Sequence, residues 1–532
     1  MRIAIPEIPE AERTPLVGCL LDILQQQQER IAQLEDEIAR LKGLSPRPHI
    51  QPSVLEARPR SPQPSDAKRP GSAKRPKTAQ LTIHREVVLP LPDPPPGAVF
   101  QGFADYVVQE LLIEPRTTRY RRECWRTPAG QTLLAPLPDE VLPGRHFGPG
   151  LIGYVLHQYH HQRVTQPLLL EQLRQWGIDI SAGQLNRFIT EDLDAFHQEK
   201  EELLPVGLRT AAYVGVDDTG ARHRGVTGHC THIGNDLFAY FASTDTKSRL
   251  NLLEILRRPH HDYIVNAEAR AYWQQQGLPV ALVERLGAGV GVFPDAAAWQ
   301  AHLAAHEVTG TWRVRIATEG ALLGSLLAHG VSPDLVVLSD GAPQFDILVH
   351  ASCWLHAERP LARLVPHTEA HRQVIAEVRQ AIWELYQALK AYQQAPVASH
   401  KAPLQARFEA LCARRTGYPS VDSVLKEMAV HQADLLRVLE RPEVPLHNNV
   451  SERHLREYVT KRKISGSTRS DAGRRCRDTF ASLKQTCRAL GVNFWEYLHD
   501  RVRGRGRLPR LAEVLRRRGE AAPAGHVVAA PA

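Results

Sequence analysis

Three carboxylates, Asp217, Asp340 and Glu452, occupy positions where burial is costly unless each side chain is paired or holds a metal. Asp217 closes the apolar run Ala211-Ala-Tyr-Val-Gly-Val and is followed by Asp218-Thr219-Gly220. Asp340 closes Pro333-Asp-Leu-Val-Val-Leu-Ser and is followed by Gly341. Each run favours a strand, and each glycine marks a turn beyond it. Glu452 lies in His447-Asn-Asn-Val-Ser-Glu-Arg-His-Leu-Arg456, where Asn448 or Asn449 is placed to cap a helix and Glu452 to project from its first turns. An all-oxygen, net negative donor set suits two Mg²⁺ or Mn²⁺ ions rather than zinc, and such a pair serves phosphoryl transfer. Each motif alone has a plainer reading, since Asp-Gly is a common turn and Asn-Asn a common cap.

The elements that must position these groups follow the order β-β-β-α-β. After the strand ending at Asp217 come Gly225–Gly234 and Leu237–Ala242 as strands, joined by the turn Asn235-Asp236. A helix over Lys247–Arg257 precedes the strand ending at Asp340, and His350–His356 is expected as a fifth short strand. Two helical insertions, at about 258–330 and 358–446, lengthen this core without moving its strand ends; Trp273, Trp299 and Trp312 are expected in the core of the first.

Upstream, Val17, Leu20, Leu24, Ile31, Leu34, Ile38 and Leu41 alternate by three and four, with Gln27 at the polar seam position. This pattern predicts a coiled-coil oligomerisation helix within 1–43, the plainer alternative being an amphipathic helix packed on its own domain. Residues 44–80 are rich in Pro, Ser, Arg and Lys and are expected to be a disordered basic linker. A small β-rich module is expected at 81–145, with strands at Tyr106–Ile113 and Arg119–Trp125. Residues 146–205 turn helical: Pro167–Trp176, a Gly177 stop and a Ser181 cap ahead of Ala182–Ile189 have the pattern of a helix-turn-helix, or of an ordinary αα-corner. In the first case Gln184, Asn186 and Arg187 face a DNA groove. The core domain is expected over 206–500, and 501–532 is a basic tail.

The chain has 532 residues, 43% of them apolar, and a formal net charge of +8. No apolar run approaches the ~18 residues that span a bilayer. The seven cysteines are scattered without a Cys-x-x-Cys pair, which argues for a reducing compartment and against a zinc ribbon. The beginning of the sequence lacks the pattern of a secretory signal, so a cytoplasmic, nucleoid-associated protein is expected. Basic residues cluster at Arg58–Lys77 and Lys461–Arg518, which makes nucleic acid the leading partner.

The combination Asp217-Asp-Thr, Ser339-Asp-Gly, Cys353-Trp-Leu-His356 and Asn448-Asn-Val-Ser-Glu452-Arg, with Gly466-Ser and Trp495-Glu-Tyr-Leu behind it, resembles the transposases of the insertion sequence 66 family. The likeness spans most of the chain, from the heptad helix onward. It implies a DDE transposase with a ribonuclease H-like core that cuts and joins DNA at inverted terminal repeats. In that scheme Asp217 bridges two Mg²⁺ (or Mn²⁺) ions, Asp340 holds one and Glu452 the other. The partners implied are terminal and target DNA, further copies of the chain, and accessory proteins of the same element.

Two departures from the family pattern stand out. Asp218 replaces the usual Glu after the first Asp, so it can be mistaken for the ligand, and only Cys124 remains of a cysteine-rich module, so no zinc is expected. Asp218, Cys353, His356, Asn448 and Asn449 are expected to support the ligands, with His356 reaching towards the cut strand. Arg453, Arg456, Lys461, Arg462, Lys463, Arg469, Arg474 and Arg475 are expected to hold phosphates, although a basic run is commonly only a solvated face. The rival readings are an accessory DNA-binding protein of the same fold without cleavage, and a ribonuclease H-like structure-specific nuclease.

Overall fold

The computed structural model describes residues 81–521 except 139, 140, 143 and 290, together with Val17 and Gln27. Most of the heptad segment, the whole basic linker and 522–532 lie outside the described residues. The chain divides into two units, Met1–Thr117 and Thr118–Ala532.

In the first unit, residues 81–117 form neither strand nor helix. The strand expected at Tyr106–Ile113 is absent because no second strand among the unit's described residues completes its hydrogen bonding, and Tyr106, Leu111 and Leu112 remain exposed. The strand expected at Arg119–Trp125 shrinks to β1 (Cys124–Arg126), which pairs antiparallel with β2 (Thr132–Leu134). The β-rich module is thus a single small hairpin.

The helical region begins with α1 (Pro149–Leu156), which runs into a π-helical turn at His157–His161. α2 (Gln166–Gln175) ends before Gly177, whose φ of 79° suits glycine. Ser181 Oγ then accepts from Gln184 N at 3.1 Å and starts α3 (Ala182–Thr190), as a cap should. α4 (Asp194–Thr210) delivers the chain to the sheet.

β3 (Tyr213–His223), β4 (Val226–Gly234) and β5 (Ala239–Thr244) form an antiparallel meander. Arg224 and Gly225 both take positive φ between β3 and β4, the geometry that matches strand twist in a two-residue hairpin. A parallel neighbour for β3 requires a long crossover. α5 (Arg249–Leu256), the hairpin strands β6 (Tyr263–Ile264) and β7 (Val292–Phe293), and helices α6 (Ala267–Gln275), α7 (Val280–Leu286), α8 (Ala296–Ala305) and α9 (Thr311–Ala328) supply it. Trp273 and Trp299 are fully buried there, and their indole N–H groups donate to Ala317 O and Thr318 Oγ1, both at 3.0 Å. Trp312, expected in the same core, is exposed on the first turn of α9.

β8 (Val336–Ser339) pairs parallel to β3, and β9 (Val349–Ser352) parallel to β8, giving the order β5-β4-β3-β8-β9. The fifth strand stops at Ser352 rather than at His356, because Trp354 already begins α10 (Trp354–Arg363). α11 (Glu369–Gln394), α12 (Lys401–Cys412) and α13 (Pro419–Val430) enclose a separate hydrophobic cluster around Trp354, Leu385 and Tyr418. α14 (Asn449–Ser465) then lies on the sheet, where Leu455 and Tyr458 meet Cys230 and Phe241, while Val214 and Val216 face the main core on the other side. α15 (Asp471–Ala489), α16 (Phe494–Arg503) and α17 (Leu511–Ala521) complete a mixed α/β chain. No described helix is long and apolar enough to cross a membrane.

Candidate functional site

The sheet determines where the two aspartates stand. β3 and β8 pair with Tyr213 opposite Val336, Val214 opposite Val337 and Gly215 opposite Leu338. Carried two residues further, the same offset sets Asp217 level with Asp340. Alternation along β3 puts Asp217 on the face of Gly215, towards α14, and Asp218 on the other face. Asp218 is occupied there, 3.1 Å from Lys247 Nζ and accepting from Gln344 Nε2 at 3.2 Å.

Glu452 reaches the same region because the start of α14 is fastened to the strands. Asn448 Nδ2 donates to Val216 O at 2.9 Å, Asn448 N to Cys353 Sγ at 3.3 Å, and Cys353 N to Ser339 O at 2.9 Å. Gly215 makes this approach possible, since a Cβ there would lie 2.5 Å from Asn448 Oδ1 and 2.6 Å from Ser451 Oγ. Asn448 precedes the helix, but its side chain does not cap it, because the amide is committed to β3; Asn449 is exposed. Cys353 is a hydrogen-bond acceptor in this joint.

Crowded negative charge marks the site. Burial pushes the Asp217 carboxyl up to about 7, against the Asp218 N–H that donates to it at 2.7 Å, and Asp340, Asp218 and Glu452 push it further. Glu452 Oε1 lies 3.6 Å from His356 Nε2 and 3.5 Å from Arg359 NH2. Burial, and then the Arg359 charge, depress His356. Among the described residues no three His, Cys, Asp or Glu side chains already close on one point as a metal cage. The donor chemistry is nevertheless that of a hard divalent cation: carboxylate oxygens within one strand, just past the end of its neighbour and on a helix, with one carboxyl strained by like charges.

A hydrogen-bond chain absent from the sequence reading supports the Asp340 turn. Ser339 Oγ accepts from Gly341 N at 3.1 Å and bonds His350 Nε2 at 2.9 Å, while His350 Nδ1 meets Asp434 Oδ2 at 3.0 Å. Ser339 is fully buried, so this serine, histidine and aspartate hold a turn and expose no nucleophile. Asp340 Oδ1 accepts from Ala342 N at 3.0 Å, completing the turn. Ser339→Ala should lower stability by about 1–3 kcal/mol, because it leaves the Gly341 N–H and His350 Nε2 without this partner. Urea unfolding measures it, and an unchanged midpoint would refute the supporting role.

The residues expected to meet phosphates separate into groups. Asn186 and Arg187 are exposed on α3, with Gln184 beside them. Arg453, Arg456, Lys463 and Arg469 are exposed on α14 or just after it, and Arg462 NH1 sits 3.5 Å from Thr219 Oγ1, two residues beyond Asp217 on β3. Arg474 is 2.8 Å from Asp245, and Arg475 is 3.9 Å from Asp194. Lys461 departs from the expectation. It is buried over the Tyr159 ring and donates to Tyr159 O at 2.6 Å; burial and neighbouring cations push it down to about 7. Its place on the inward face of α14 ties that helix to the π-helical turn.

Residues 339–475 match the family model described as transposase, IS66 family. The uncharacterized protein y4jO of Sinorhizobium fredii (strain NBRC 101917 / NGR234) is 41% identical over 303 residues, which cover 56% of this chain and 94% of that protein. No solved structure matches. With the matched model covering Asp340 and Glu452 and this relative aligned over nearly its whole length, the chain belongs to the IS66 family of transposases.

Proposed function

We propose that the chain cuts and joins DNA at the ends of an insertion sequence, with Asp217, Asp340 and Glu452 as the DDE triad of a ribonuclease H-like core. The observation that carries this reading is the register of β3 on β8, which continued by two residues sets Asp217, within β3, level with Asp340 just past the end of β8, with the Glu452 helix fastened to β3 through Asn448. The sheet order, three antiparallel strands followed by two parallel ones, supports the fold assignment. Asp217, Asp340 and Glu452 would hold two Mg²⁺ or Mn²⁺ ions, which when bound lower the pKa of water and offset charge on a leaving oxygen.

The chain's own work is positional. Asn448 and Cys353 keep Glu452 beside the middle of β3 and the end of β8, and the Ser339 chain holds the Asp340 turn. Asp217 must lose its proton to act as a ligand, which its elevated pKa makes dependent on pH. The reaction is an in-line displacement at phosphorus by water or by a DNA 3′-hydroxyl, without a covalent enzyme intermediate. Terminal repeats and target DNA are the partners, held by Gln184, Asn186, Arg187 and the exposed cations of α14. Residues 17–41 would join copies of the chain, and the reaction belongs to the bacterial cytoplasm.

The test is incubation with a duplex carrying the terminal sequences of the encoding element and Mg²⁺. Strand cleavage and joining are expected, and Glu452→Ala should yield neither. Binding without cleavage by the unaltered chain would favour the accessory DNA-binding reading instead. The buried lysine gives a second check: Arg453→Gln should flatten the dependence of log K on log salt by about one, whereas Lys461→Met should leave it unchanged. An equal loss of slope in both variants would contradict the assignment of Lys461 to the interior.

A further inference from the structure

Arg359 and His356 stand about a turn apart on α10, and both face one oxygen of Glu452. At 3.5 Å for NH2 of Arg359, the contact is an ion pair longer than a hydrogen bond. Elsewhere the same chain shows an arginine whose fork is fully committed to structure, to Glu199, Asp500 and the Leu508 and Pro509 carbonyls. Arg501 grips buried Glu199 through Nε at 2.7 Å and NH2 at 3.1 Å, with 11% of its side chain exposed. Arg359 has 41% of its side chain exposed, more than the 29% of Glu452. Arg359 is thus the more open member of the pair, and a contact through NH2 alone leaves its fork N–H groups to spare.

The helix beneath it is fixed. Trp354 Nε1 donates to Leu435 O at 2.8 Å, Leu361 is fully buried, and Glu358 pairs with Arg379. Arg363 follows one turn later, exposed.

We infer that Arg359 is a catalytic residue that binds the phosphate of the DNA strand being cut, an inference that rests on reading Asp217, Asp340 and Glu452 as the triad. A planar guanidinium donates two parallel N–H bonds to two phosphate oxygens, a match that the point charge of lysine lacks. In the cut, water adds a P–O bond as the bond to the 3′-oxygen breaks; the 3′-oxygen takes a proton, and the other fragment keeps the phosphate. Charge on the non-bridging oxygens is met by a cation that Glu452 already holds near its working place, so little reorganisation is needed when DNA arrives.

The experiment uses the full chain and two end-bearing duplexes, one with its natural phosphate at the cut and one with a neutral methylphosphonate there. Arg359→Gln should keep the parent melting temperature and cut the natural duplex about 10²–10³-fold more slowly. It should also lose about one unit of salt slope on that duplex and none on the neutral one, where it binds like the parent. Arg359→Lys should recover only part of the rate. Cleavage at the parent rate, or an equal loss of binding on both duplexes, would overturn the inference. Should Arg359→Gln not fold, Arg359→Lys carries the rate comparison: slower cleavage of the natural duplex supports the inference, and the parent rate overturns it. A parent chain that neither binds nor cuts the ends would instead defeat the underlying reading of the triad.

Discussion

Asp217→Asn should abolish DNA cleavage and, in the same preparation, raise the melting temperature of the metal-free protein. The two effects have one origin. Burial and the charges of Asp340, Asp218 and Glu452 raise the Asp217 carboxyl to about 7, far above its ordinary value of 3.8. Between those values the folded chain keeps a proton that the unfolded chain has released. Stability from this group therefore falls as pH rises from about 4 to about 7, and the full penalty stands above 7. Asparagine removes the penalty, so its gain should be largest near pH 8, about 1–2 kcal/mol after allowance for partial exposure, and should fade towards pH 4. If Asp217 holds metal as proposed, its loss as a ligand removes several kcal/mol of charge stabilisation, a fall of about 10³-fold or more in rate. Added Mg²⁺ or Mn²⁺ should stabilise the parent and hardly affect the variant. Equal thermal midpoints for parent and variant across pH 4–8 would show that Asp217 is not strained as described.

The second large effect is expected at a residue with no chemistry of its own. Gly215→Ala places a methyl group 2.5 Å from Asn448 Oδ1 and 2.6 Å from Ser451 Oγ. Neither neighbour yields readily: Asn448 is bound to Val216 O, and Ser451 is fully buried on α14. The helix must retreat from β3 and carry Glu452 with it. A shift near 1 Å at a reacting group costs about 10²-fold in rate, and the overpacking about 1–3 kcal/mol. Cleavage and urea unfolding of the variant measure both. Parent-like cleavage would mean that the Glu452 helix tolerates displacement, contrary to the role given to its joint with the sheet.

Much of the core was legible because its signals are local. An apolar run of strand length ending in Asp-Gly marks the end of β8, and Ser181 and Gly177 mark helix boundaries; at Asp217-Asp-Thr-Gly the same signal misleads, because pairing with β4 carries β3 on to His223 and the turn comes at Arg224-Gly225. What failed was local pattern without a partner to complete it. Tyr106–Ile113 has strand composition, but no neighbour among the described residues of its unit supplies a ladder. Trp312 has core composition but falls on the exposed side of a helix start. Lys461 belongs to a basic run, yet its turn of α14 points inward, which helix phase against the sheet decides and composition does not. Arg359 and Asp434 carry no motif; their importance comes from contacts across 93 and 84 residues, to Glu452 and His350, that only the folded chain creates.

The parallel pairing of β3 with β8 has one more consequence. Because the register of β3 on β8, continued by two residues, sets Asp217 beside Asp340, their separation is inherited from the interstrand repeat of about 4.8 Å. Backbone hydrogen bonding thus acts as a ruler for the first two carboxylates, and the helical segment between them is free to grow, shrink or diverge without changing the gauge.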